Sequence, residues 1–146
     1  MLYEVETHNS IEQIDLALRA AANKHQFGVL GVHDLQDALA KKGVALGKTC
    51  LVYEVCNPHQ AKKVLDINSA FSSMLPCRIS VYGTDEGYRL STVLPTALGK
   101  FFAGGGIEPT ALEVENDVKE IMQEAGADTP KTPSSVQPEA PIGKTQ

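Results

Sequence analysis

The sequence predicts an α+β domain with a mainly antiparallel sheet backed by helices. Strand-like segments alternate with short amphipathic helices, and two of the strands are joined by a loop so short that they must pair as a hairpin. The length of 146 residues suits one domain with some tail, and 42% hydrophobic residues suffice to bury a core despite the absence of Trp.

Each element has a local reason. Leu2, Tyr3 and Val5 mark a strand over residues 2–7. Ser10 with Gln13 three residues later forms a capping box, and Ile11, Ile14, Leu18 and Ala21 or Ala22 recur at helical spacing, which predicts a helix ending near His25. Residues 27–33 read as a strand in which Gly28 and Gly31 mark a bulge or a close contact. Asp34 caps a short helix carrying Leu35, Ala38 and Leu39, with Gly43 as its stop. Residues 49–56 form the clearest strand, rich in β-branched and aromatic side chains. Asn57 is then an N-cap and Pro58 the first helical residue of a helix through Ala61, Val64 and Leu65. Residues 76–83 and 88–94 make the hairpin, which Pro95 ends.

Beyond it, Gly104, Gly105 and Gly106 act as a joint spanning 104–107, separating a domain over 1–103 from a helix over 108–126. That helix opens at Pro109 and carries Val114, Val118, Ile121, Met122 and Ala125 on one face. The stripe can dock on the chain's own sheet or on a partner protein. Residues 127–146, with four prolines among polar residues, are expected to be disordered.

The net charge of −5 sits on residues 108–125, where six acidic residues face Lys119 alone, and charge cancels elsewhere. Glu113, Glu115, Asp117 and Glu120 read as a solvated helix face. No basic patch is present to neutralise phosphates, which argues against nucleic acid. No apolar run is long enough for a membrane helix, and the N-terminal residues lack the pattern of a signal peptide, so the expected location is the cytoplasm. Cysteines there are reduced, and a structural disulfide is not expected.

The run Phe27 to Lys42, then Val55-Cys56-Asn57-Pro58 with Ala61 and Leu65, then Leu75-Pro76-Cys77-Arg78-Ile79-Ser80-Val81-Tyr82, then Pro95, resembles the Domain of Unknown Function 302 family over roughly residues 3–96. The resemblance implies an antiparallel sheet backed by helices, similar in outline to TATA-binding-protein-like folds, and a homodimer. It implies no reaction, and it does not reach the segment from Gly104 onward.

The chemistry-bearing residues cluster at two motifs. Cys56 precedes a helix N-terminus, whose N–H groups and dipole favour a thiolate. His59 lies in the first turn of that helix, and Cys77 begins the next strand. If the strands of Cys56 and Cys77 run antiparallel, the two thiols meet; a parallel crossover separates them. With Asn57 they form a candidate ligand site, and Cys56, Cys77 and His59 suit a thiophilic metal ion. Cys50, about 20 Å along an extended strand from Cys56, packs elsewhere. His8 and His25 read as helix-end residues, and His33 neighbours Asp34, better used as a cap.

Three functions compete. The first is a non-enzymatic dimeric module that binds a metal or a small ligand, sulfur-containing ones included, near Cys56 and Cys77. The second is a thiol–disulfide or persulfide-transfer enzyme with Cys56 as nucleophile and Cys77 as resolving thiol. The third is a protein-interaction module in which the cysteines only pack.

Overall fold

A five-stranded sheet, every neighbouring pair antiparallel, is backed by helices. The computed structural model describes residues 1–101 and 105–130. The strands are β1 (Leu2–Thr7), β2 (Gly28–Asp34), β3 (Cys50–Cys56), β4 (Cys77–Gly83) and β5 (Tyr88–Val93), in the spatial order β1-β5-β4-β3-β2. The helices are α1 (Ile11–Lys24), α2 (Leu35–Ala40), α3 (Pro58–Ile67), α4 (Pro95–Gly99) and α5 (Glu108–Gly126).

Alternation along the strands sends Tyr53, Val55, Ile79, Val81 and Leu90 to the helix face, where all are fully buried. They meet Ile14 and Leu18 of α1 and Val118, Ile121 and Met122 of α5 in one core. The capping box of α1 forms as expected: Ser10 Oγ accepts from Gln13 N, and Gln13 Oε1 accepts from Ser10 N. The bulge in β2 falls between Val29 and Gly31, and Asp34 caps α2 by accepting from Asp37 N.

Several expectations are corrected. Leu2 is exposed, because alternation gives the packing positions of β1 to Tyr3 and Val5. Leu35 and Leu39 of α2 are also exposed. Pro95 ends the hairpin but opens α4, and a 3-10 turn at Ser69–Met74 follows α3. Of the two placements open to the apolar stripe of α5, the chain's own sheet is the one adopted: the stripe lies in the same core as the strands. Glu115 lies on the packed side of that helix, buried beside Lys119 rather than solvated. Gly104 and residues 131–146 lie outside the described residues. The start of the expected tail is tied down: Asp128 Oδ1 accepts from His8 N at 2.7 Å and Asn9 Oδ1 accepts from Thr129 N at 2.9 Å. No helix among the described residues is long and apolar enough to cross a membrane.

Candidate functional site

The ends of β3 and β4 converge where β3 passes into α3. The two strands are antiparallel, with Val55 opposite Cys77, so Cys56 and Cys77 sit one residue out of register at the same end of the sheet. Both line a cavity of about 30 Å³ together with Asn57, Gln60 and Phe27. The expectation that the thiols meet therefore rests on register. Cys50 sits at the far end of β3, opposite Tyr82, and all three cysteines are free thiols.

The electrostatics run opposite to the sequence reading. Burial pushes the Cys56 thiol above its ordinary range. Burial, with the neighbouring Cys56 adding to it, pushes the Cys77 thiol up to about 11. The helix N-terminus does not rescue Cys56, because Asn57 has taken its donors: Asn57 Oδ1 accepts from His59 N at 3.0 Å and from Gln60 N at 3.2 Å. A capped helix end has little left to offer a thiolate.

His59 is exposed on the first turn of α3. Cys56, Cys77 and His59 do not bring their ligand atoms together as a metal-binding group; among the described residues the set that does so is His25, Asp117 and Glu120. By sequence His25 is a helix-end residue with no partner assigned. In the fold its ring is enclosed by α5, with Asp117, Glu120 and Glu124 around it. His8 pairs with Asp128, and His33 pairs with Glu54 at 2.6 Å rather than with Asp34.

Cys77 also stands in the wall of a second, larger cavity of about 310 Å³. Phe71, Met74 and Leu75 close one side, Leu98 and Ile107 another, and Ala111 and Val114 of α5 a third. The polar residues in its wall are Ser73, Arg78 and Thr92; Ser73 Oγ donates to Ala70 O at 2.8 Å and Thr92 Oγ1 to Arg78 O at 2.7 Å. Val64, Leu75, Cys77 and Val114 belong to both cavities, so Cys77 lies at their shared wall, while Cys56 lines only the smaller cavity. This space was missed in the sequence because it is built by the 3-10 turn, α4 and the first turns of α5, which meet only in the folded chain. The run Phe71, Met74, Leu75 was its available signal, too apolar for a mere connection.

The sequence profile described as "Domain of unknown function DUF302" matches residues 3–125, nearly the whole of the described chain. The chain belongs to the DUF302 family. The match runs through α5, beyond the residue motifs that suggested it, which agrees with the burial of α5 in the DUF302 core. A crystal structure of an uncharacterized conserved DUF302 protein from Bacillus stearothermophilus superposes with a TM-score of 0.81 at 23% identity, covering 85% of this chain and 97% of that one. At that identity the similarity speaks for the fold. A search of curated proteins finds no match.

Proposed function

We propose that this DUF302 domain is a non-enzymatic binding module for a small, largely apolar ligand held in the 310 Å³ cavity beside Cys77. The observation that carries the reading is the cavity itself: its volume and apolar walls fit the lower end of small-molecule sites. Cys77 offers a neutral, polarizable sulfur to the occupant, which suits a sulfur-containing or aromatic group. The raised thiols weigh against the alternative of a thiol-transfer enzyme, whose nucleophile needs a depressed pKa. A homodimer belongs to the same reading. Its support is β2, an edge strand with β3 as its one strand neighbour among the described residues, and Leu30 upon it, 64% exposed, which together offer a pairing surface.

Methyl NMR tests the site, with benzene and thiophene as apolar probes. Saturable shifts confined to the methyls of Val64, Met74, Leu98 and Val114, suppressed by added bulk in Ala111→Phe, are expected. Shifts that never saturate, or that Ala111→Phe leaves untouched, overturn the reading. Sedimentation equilibrium addresses the dimer: the mass of two chains is expected, and a single-chain mass at every concentration removes that part.

A further inference from the structure

The C-terminal end of α1 and the middle of α5 bring together a set of groups separate from both cavities. His25 caps α1, and its side chain is only 12% exposed against α5. Its Nδ1 lies 3.8 Å from Asp117 Oδ1 and 3.6 Å from Glu120 Oε2, and one ligand atom from each of the three residues falls within 4.8 Å of the others. A tetrahedral ion with bonds of about 2.1 Å spaces its donors about 3.4 Å apart. His25 Nδ1 therefore needs to close by only a few tenths of an ångström on each carboxylate, and the two carboxylates, within 4.8 Å of each other, by at most about 1.4 Å.

The surroundings match a ligand set better than a plain ion pair. The other ring nitrogen, Nε2, is buried without a well-aligned hydrogen bond, and Glu124 Oε1 stands 3.5 Å from it. Glu124 is itself held by Lys24 at 2.7 Å. A proton on Nε2 directed at Glu124 leaves the Nδ1 lone pair facing Asp117 and Glu120, the arrangement in which an outer carboxylate orients a metal-bound imidazole. Asp117 is positioned in turn by Gln60, whose Nε2 donates to Oδ2 at 3.2 Å. Glu120 is exposed, so the fourth position opens to solvent and an ion has a path in.

We propose that His25, Asp117 and Glu120 bind one divalent transition-metal ion of the kind that takes imidazole and carboxylate ligands, with Zn(II) as the reference ion. The site clamps α1 to α5 and owes nothing to the cysteines.

Isothermal titration of the chelator-treated full chain with ZnCl₂, with MgCl₂ as a second titrant, tests this. The expected result is one Zn(II) per chain, bound at least 100-fold more tightly than Mg(II), unchanged when Cys50, Cys56 and Cys77 are all replaced by Ser. His25→Ala and the surface variant Glu120→Gln should each weaken binding at least tenfold. Circular dichroism confirms that the variants fold; Glu120→Gln alters an exposed side chain and keeps the test available if His25→Ala does not fold. Zn(II) binding that vanishes in the cysteine-free chain, or that Glu120→Gln leaves within twofold, overturns the proposal. So does the absence of saturable Zn(II) binding.

Discussion

A cysteine placed to react and a cysteine placed to line a pocket differ most in how they ionise, and Cys77 separates the two. Replacing Cys50 and Cys56 by Ser leaves Cys77 as the single thiol. In the parent chain burial, with Cys56 adding to it, raises this thiol from an ordinary value of 9.0 to about 11, and burial, the larger cause, remains in the variant. At pH 7 about one molecule in 10⁴ then carries a thiolate, against about one in 10² for an ordinary thiol. A more basic thiolate is also a better nucleophile, with a Brønsted coefficient of about 0.4–0.5, which returns roughly six- to tenfold of that loss. The net expectation is reaction with an aromatic disulfide at least about tenfold slower than a cysteine peptide at pH 7, before any slowing by limited access. The pH profile is more diagnostic than the rate, since access scales all points alike. The logarithm of the rate should climb by one unit per pH unit from pH 7 to pH 10 without levelling. A plateau between pH 7 and 9 would refute the reasoning and restore the thiol-transfer reading.

Stability follows from the same ionisation. The folded chain favours the neutral Cys77 thiol, so its contribution is whole below pH 9 and is lost as pH rises toward 11. Urea unfolding of the parent should weaken over that window by about 2–3 kcal/mol more than Cys77→Ala does; parallel curves for the two would contradict the shift. Met122→Ala, at a fully buried position of α5, should cost about 2–5 kcal/mol in a single cooperative transition; a loss below about 0.5 kcal/mol would show that α5 is not part of the core. Asn57→Ala removes the cap on His59 N and Gln60 N and should cost about 0.5–2 kcal/mol by the same assay. Tyr53→Phe keeps the buried ring but loses the hydroxyl that donates to Asp15 Oδ1 at 2.7 Å, for about 1.5 kcal/mol; unchanged stability would show that bond to be worthless.

What was legible in the sequence follows from what is local. The capping box of Ser10 and Gln13 needs only four residues of chain, and the β-branched run into Cys56 needs only its own composition. The antiparallel pairing of β3 and β4 followed from the hairpin pattern and put Cys56 and Cys77 at the same end of the sheet. The electrostatics of that pair were not local. Asn57 could be read as a cap, but its consequence for Cys56 depends on burial under Phe27 and Val64, which the sequence does not display. The large cavity was invisible for the same reason, its walls coming together only when the 3-10 turn, α4 and the first turns of α5 pack in the folded chain. His25 shows the limit most plainly: a helix-end histidine by sequence, it gains its neighbours Asp117 and Glu120 only when α5 packs along α1.

A crystal structure of the protein soaked with thiophene shows whether the cavity beside Cys77 takes an apolar ligand. An open cavity with ordered density among Phe71, Cys77, Leu98 and Val114 is expected, and no density in Ala111→Phe crystals. A cavity closed by Phe71 and Met74 collapsed onto Cys77, empty of probe, would contradict it.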